Sequence, residues 1–528
     1  MDSENLARQA ELAFERQGDH DSLFFEGQWH TSGSLADRAA RFAAGLAGLG
    51  VRPGDRLLVL MANCPEVLIT YSAAWRAGAV VTPLIFLVSE DELRNALADS
   101  GAVGVVTTAE FLPKVSAALA DRDGGAPDVR FVVVPGGAGQ PAAAGIPVLD
   151  FAEVASAEPG PIVDRSGTDL AALLYTGGTT GKSKGVPLSH ANLLWCGSAA
   201  HQSSVRAVIT TSVLPLPLAH AYGLLVFVGG LHRDEGSRTI LMRWFDPAGW
   251  VKLAETHRAQ GSALVPSMIQ MLLGQPLEQA DLSSLIAVSS GASPLPEEVR
   301  REFEARVPSA KVYEGYGCTE AATLISANPI DGRRAGSVGL PVPGVHVSIR
   351  DDADRALPAG QDGEICVRSP GVMTGYWHAA DSASTVLAGG WLRTGDIGHL
   401  DADGYLYVVD RKKDLILRGG FNVFPRDVEE VLVAHSAVAQ AGVVGRPDVR
   451  MGEEVVAYVS LRDGVTATAD ELIEHSRRHL AAHKYPREIT IVPAIPLTSV
   501  GKLDRKKLRS WAADVPAPAG VAEGTVAG

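Results

Sequence analysis

The sequence predicts an α/β fold: a large N-terminal domain of α/β subdomains with a small β subdomain, followed by a small α+β C-terminal domain. Three observations lead there. Over the first 150 residues, short apolar runs alternate with amphipathic stretches, the order expected of parallel sheet flanked by helices. Between about residues 345 and 409 the chain changes to short strands and tight turns (HVSIRDDADRALPAGQDGEICVR, HLDADGYLYVVD). A length of 528 residues also excludes a single compact core, since domains average roughly 100–200 residues.

The elements follow in order. Residues 57–61 are a short apolar strand and residues 65–75 an amphipathic helix. Residues 79–84 read as a strand, after which Ser89 and Glu92 have the spacing of a capping box and open a helix. Residues 103–107 and 129–134 are further strands, and residues 151–345 continue the α/β pattern with glycine-rich interruptions. The charge run DRKKD at 410–414 precedes an apolar strand and marks a boundary. It divides the chain into a large domain over 1–412 and a small one over 413–511. The Ala/Pro/Gly-rich tail, 512–528, is expected to be disordered.

Composition narrows the partners. A hydrophobic fraction of 46% and a charged fraction of 20% supply real cores. The net charge of −14 argues against nucleic acid or an anionic membrane surface. The N-terminus is polar and acidic, unlike a signal peptide. Residues 207–232 carry no Asp, Glu, Lys or Arg, but two prolines and three glycines interrupt them. A buried wall fits them better than a membrane span, and the cytoplasm is the expected location. Cys64, Cys196, Cys318 and Cys366 lie far apart with no CxxC pair, which predicts neither a disulfide frame nor a zinc site. Only 11 residues are lysine, and eight of these fall in three short segments: Lys182/Lys184, Lys412/Lys413 and Lys484 to Lys507. An ammonium is not interchangeable with a guanidinium, so these segments are candidates for chemistry.

The sharpest segment is LLYTGGTTGKSKGVPLSHAN, residues 173–192. Glycines let backbone N–H groups converge on an anion, hydroxyls add donors and lysines add charge. Thr176, Gly177, Gly178, Thr179, Thr180, Gly181 and Lys184 therefore form a phosphate-cradling loop. It differs from a P-loop in having threonine at 176 where glycine is required. Residues 185–188 also read as a strand where a P-loop opens a helix.

This loop resembles the phosphate loop of the adenylate-forming superfamily: acyl- and aryl-CoA synthetases, luciferases and peptide-synthetase adenylation domains. The YTGGTTG spelling is most similar to the fatty acyl-CoA ligase branch, and companion motifs occur in order over roughly residues 20 to 510. The resemblance implies roles for them. In PLPLAHAYGL (215–224) His220 would lie near the acyl carboxylate and α-phosphate. In SGASPL (290–295) the backbone of Ser290, Gly291 and Ala292 would border the adenine. In YEGYGCTE (313–320) Tyr316 would lie flat on the adenine, Thr319 would touch phosphate and Glu320 would bind Mg²⁺. In WLRTGD (391–396) Asp396 would accept from both ribose hydroxyls. In DRKKD, Arg411 would meet the ribose and Lys413 would be the hinge pivot between the two domains; many members have glycine where Asp410 stands. PLTSVGKLDRKK (496–507) would place Lys502 in the active site, and Gly419 and Gly420 (RGGFNVFP) would line the pantetheine tunnel.

The implied reaction activates a hydrophobic carboxylic acid with ATP, giving an acyl-adenylate and pyrophosphate, and then transfers the acyl group to coenzyme A. Peptide-synthetase domains place an aspartate in the fourth motif for the substrate ammonium; no Asp or Glu stands between Arg206 and Arg233, so an amino acid is disfavoured. Gly229 and Gly230, inside the uncharged stretch, are candidates for the acyl pocket. Rival readings keep the adenylation but transfer to an amine or a carrier-protein thiol; others are a P-loop-like NTPase or a non-catalytic nucleotide-binding protein. The sequence leaves the acid and the oligomeric state open.

Overall fold

The computed structural model describes residues 4–120, 128–137, 145–176, 183–203, 209–378, 385–387, 389–462, 464–498 and 503–514. By internal contacts the chain forms two compact units, Met1–Thr394 with His399–Val408, and Gly395–Gly398 with Val409–Gly528.

The larger unit contains two broad α/β sheets. One has seven strands among the described residues, in the order Val148–Asp150, Phe131–Val134, Gly104–Thr107, Arg56–Leu60, Val80–Pro83, Leu170–Thr176 and Lys184–Ser189. Its strands pair in parallel, except the last two, which form an antiparallel hairpin. The capping box appears at the helix Glu90–Ser100, where Ser89 and Glu92 each satisfy the other's backbone N–H.

The second sheet has nine strands among the described residues, of which Thr211–Leu214, Gly261–Leu264, Ala287–Ser290 and Lys311–Tyr316 are adjacent and parallel. Loops leaving the carboxyl ends of neighbouring parallel strands face a common crevice, the usual ligand position in open α/β sheets. The segments opening at Pro215, Gly291 and Gly317 all leave from these ends.

The helix Pro65–Arg76 is buried on most sides, with Glu66 and Arg76 reaching ion-pair partners, Arg38 and Glu11. Tyr71 and Trp75 are fully buried in it; the Trp75 indole donates to Ala171 O at 3.0 Å and the Tyr71 hydroxyl to Leu218 O at 3.3 Å. Truncating such a residue to alanine costs about 3–5 kcal/mol. Just before this helix, buried Asn63 donates to Leu216 O and Met242 O and accepts from Leu218 N. One amide thus fixes the backbone leading to His220.

The change of character near residue 345 corresponds to a small sheet built from His346–Arg350, Gly363–Arg368, Val386–Leu387, Trp391–Leu400 and Leu406–Arg411. Among the described residues the smaller unit has a five-stranded sheet of its own, which includes the long hairpin Val438–Asp448 and Gly452–Leu461. The tail expected to be disordered from residue 512 needs correction at its start. The helix Arg505–Asp514 includes Ala512, which is buried beside Leu508 and Tyr458. Residues 515–528 lie outside the described residues. Among the described residues no helix is long and apolar enough to cross a membrane; the uncharged stretch becomes the strand Thr211–Leu214 and the helix Ala221–Gly230.

Candidate active site

The glycine–threonine loop is closed by a hairpin in which Thr176 pairs with Lys184. Gly177, Gly178, Thr179, Thr180 and Gly181 lie outside the described residues. The exit strand Lys184–Ser189 runs antiparallel to the entry strand. A P-loop continues directly into a helix, and here six strand residues come first. The P-loop reading is excluded on that geometry.

His220 caps the helix Ala221–Gly230: its Nδ1 accepts from Tyr222 N at 3.2 Å. A neutral ring in that arrangement carries its proton on Nε2. Two strands along the sheet from Thr211–Leu214, at the end of Ala287–Ser290, Ser290 is buried, Gly291 follows, and Ala292 holds a left-handed φ of 72°. The Tyr222 hydroxyl donates to Ser289 O at 3.3 Å, tying the His220 helix to this loop.

Tyr316 ends its strand half-buried, and Thr319 and Glu320 occupy a single 3₁₀ turn, Thr319–Ala321. The chain then reverses through Ala322 and Thr323, both at positive φ. Gly317 makes the reversal feasible, since a Cβ there would lie 1.3 Å from Thr323 O. Non-glycine residues held in this region cost about 1–3 kcal/mol each and concentrate at functional sites.

Tyr376 was not anticipated from the sequence. Its hydroxyl donates to Glu320 Oε1 at 2.9 Å, and Lys184 Nζ lies 4.8 Å from the centre of its ring. Burial, and then the Glu320 charge, push the phenol well above its ordinary range, which keeps it a donor at neutral pH. Loop lysine, tyrosine and glutamate thus meet although they come from three separated segments. Among the described residues no group of three or more His, Cys, Asp or Glu could cage a metal. A lone carboxylate suits a cation whose remaining ligands are substrate phosphates and water, the habit of Mg²⁺.

Within the smaller unit Asp396 is buried and Arg411 Nε lies 3.3 Å from its Oδ1. Lys413 sits two residues on, in the turn Lys412–Asp414. Lys502 is outside the described residues. Gly419 and Gly420 form a hairpin turn with φ of 58° and 81°. A Cβ on Gly419 would lie 2.7 Å from Met451 Cε, the movable end of a side chain, and on Gly420 would meet nothing within 4 Å, so crowding demands glycine at neither. Left-handed backbone explains both.

Gly229 and Gly230 end the helix that His220 begins. Neither has positive φ, and a Cβ on Gly230 would meet no atom within 4 Å.

In the larger unit Lys184 and Glu320 meet at Tyr376, and the smaller unit carries a carboxylate–guanidinium pair of its own, Asp396 with Arg411. The model of the AMP-binding enzyme family matches residues 8–377, and that of the AMP-binding enzyme C-terminal domain matches residues 427–502. A long-chain-fatty-acid–CoA ligase of Bacillus subtilis (strain 168) is 34% identical over 516 residues, covering 93% of this chain and 91% of its own. A feruloyl-CoA synthase of an Amycolatopsis species is 35% identical over 484 residues, covering 91% and 93%. Among solved structures, the amide bond synthetase of Marinactinospora thermotolerans is similar with a TM-score of 0.85 at 30% identity, covering 96% of this chain and 100% of that one. The chain belongs to the AMP-binding enzyme family, in the acyl-CoA synthetase branch of acid–thiol ligases.

Proposed function

We propose that the protein joins a hydrophobic carboxylic acid to coenzyme A through an acyl-adenylate. The observation that carries this reading is the meeting of Lys184, Tyr376 and Glu320 beside the closed glycine–threonine hairpin. Two anions must approach each other when a carboxylate attacks the α-phosphorus of ATP. Fixed positive charge and oriented donors offset their repulsion. Thr176, Thr179, Thr180 and Lys184 would hold the pyrophosphate side, and Thr319 would add a hydroxyl. Glu320 would hold Mg²⁺, which supplies charge neutralisation on the phosphates when bound. His220, with its proton on Nε2, would donate toward the acyl carboxylate or α-phosphate. Ser290, Gly291, Ala292 and Tyr316 would border the adenine, while Asp396 and Arg411 would hold the ribose. Lys502 would bridge carboxylate and phosphate during adenylation. Movement about Lys413 would then withdraw it and admit coenzyme A past Gly419 and Gly420. Attack by the thiol on the adenylate carbonyl then forms the thioester and releases AMP.

The uncharged stretch around the helix Ala221–Gly230 supports an apolar acid, and the named relatives act on both an aliphatic and an aromatic one. The similarity to an amide bond synthetase supports a second reading in which an amine takes the acyl group. A panel of carboxylic acids with ATP, analysed by mass spectrometry, tests both. Acyl-AMP from apolar acids and acyl-CoA on adding CoA are expected; amide formation without any thioester would favour the second reading, and no adenylate from any acid would overturn the first.

The panel also tests the pocket. Gly230→Leu adds a side chain at the last residue of the helix, a position with open space and no positive φ. It is expected to melt like wild type and to accept only shorter or narrower acids, each excluded methylene being worth about 1–3 kcal/mol. An unchanged acid profile in a folded variant would remove Gly230 from the pocket.

A further inference from the structure

Lys184 and Glu320 present a physical problem. Both are proposed to serve phosphates, yet opposite charges in one crevice attract each other and would neutralise the site before ATP arrives. The structure has no ion pair between them; Tyr376 contacts both, with Lys184 Nζ 4.8 Å from its ring centre and Glu320 Oε1 2.9 Å from its hydroxyl. A cation over an aromatic face is held without being discharged. A carboxylate has several lone-pair directions, so one accepted hydrogen bond fixes its orientation and leaves others available.

Tyr376 is itself held from several sides. The next residue, Trp377, donates its N–H to Gly185 O at 2.8 Å and its indole N–H to Asp99 O at 3.0 Å. Asp99 in turn accepts from the Tyr175 hydroxyl at 2.7 Å, on the entry strand of the hairpin. Gly185 has to be glycine for this approach, since a Cβ would lie 2.9 Å from Trp377 Cβ. On the other flank Met373 N donates to Glu320 O at 2.8 Å. Residues 373–377 therefore touch both the phosphate-loop hairpin and the turn that carries Glu320.

We propose that Tyr376 is a positioning residue for adenylation: it orients Glu320 for the cation shared with ATP and keeps Lys184 apart from that carboxylate. This rests on the adenylation reading above. Tyr376→Phe keeps the ring and removes the hydroxyl, whereas Tyr376→Leu removes the spacer as well.

The test measures acid-dependent ATP–pyrophosphate exchange against Mg²⁺ concentration, together with thermal protection by ATP in Mg²⁺ and in EDTA. For Tyr376→Phe the Mg²⁺ concentration giving half-maximal exchange is expected to rise about tenfold, the scale of one hydrogen bond to a charged group. Its protection by ATP should shrink in Mg²⁺ and match wild type in EDTA. For Tyr376→Leu protection should fall in EDTA too, because Lys184 is then free to close on Glu320. Wild-type Mg²⁺ dependence and protection in Tyr376→Phe would overturn the proposal while leaving the adenylation reading intact. Absence of acid-dependent exchange in the wild type would overturn that reading and the proposal with it.

Discussion

Lys502→Ala is expected to abolish acyl-adenylate formation while sparing thioester formation from added acyl-AMP. The argument is electrostatic. During attack on the α-phosphorus, negative charge accumulates between carboxylate and phosphate, and an ammonium placed there stabilises that state more than it stabilises bound substrates. Losing one such group costs on the order of 100- to 1000-fold in rate. In the second half-reaction the carbonyl oxygen and the departing AMP phosphate also gather negative charge, but by then the proposed movement about Lys413 has withdrawn the lysine from them. Separate assays of the two steps, by pyrophosphate exchange and by CoA consumption with supplied acyl-AMP, check this. Equal loss in both would show that Lys502 serves both steps and that the proposed withdrawal of the lysine is wrong.

The second large effect is expected at Gly317→Ala. The added methyl would lie 1.3 Å from Thr323 O and 2.4 Å from its carbon. Both are backbone atoms, so no rotamer change relieves the overlap. The reversal through Ala322 and Thr323 must open, and the turn Thr319–Ala321 must move with it. Overpacking of this kind costs about 1–3 kcal/mol or more. The functional loss should exceed the stability loss, because a displacement of about 1 Å at a reacting group can cost on the order of 100-fold. A folded variant with a few degrees' lower melting temperature and little adenylation is the expected result. Wild-type exchange rates in Gly317→Ala would mean that the position of Glu320 does not depend on this reversal.

Local signals in the sequence carried much of the fold. The apolar run at 57–61 became the strand Arg56–Leu60, and the stretch at 65–75 became Pro65–Arg76. Ser89 and Glu92 capped as their spacing required. These features depend on neighbours within four residues. The helix Ala221–Gly230 was harder to see, because a helix buried on most sides shows no polar face and hence no 3.6-residue rhythm. Strand order was invisible for a different reason. Asp21–Phe25 pairs with Arg238–Leu241, more than two hundred residues away, and nothing local encodes that.

The candidate site divides in the same way. Motif spelling marked Glu320 and Lys184, since their residue types suit phosphate and cation. Tyr376 carries no such mark: a tyrosine in a β subdomain looks like packing. Its bond to Glu320 spans 56 residues and exists only once the turn and the Met373 segment are in place. Asn63 was missed likewise, because a buried amide with three backbone partners is recognisable only when those partners are known.

The division of the chain into two units has a consequence for rebuilding it. Gly395–Gly398 sorts with the smaller unit, whereas the rest of its strand, Trp391–Leu400, sorts with the larger. The smaller unit is thus not a cassette that begins at one residue. A chimera with a single junction at Val409 would import Arg411 from one parent and retain Asp396 from the other, splitting a pair 3.3 Å apart. Grafting a foreign C-terminal unit onto this protein therefore calls for two exchanged segments, and Asp396 belongs with the graft.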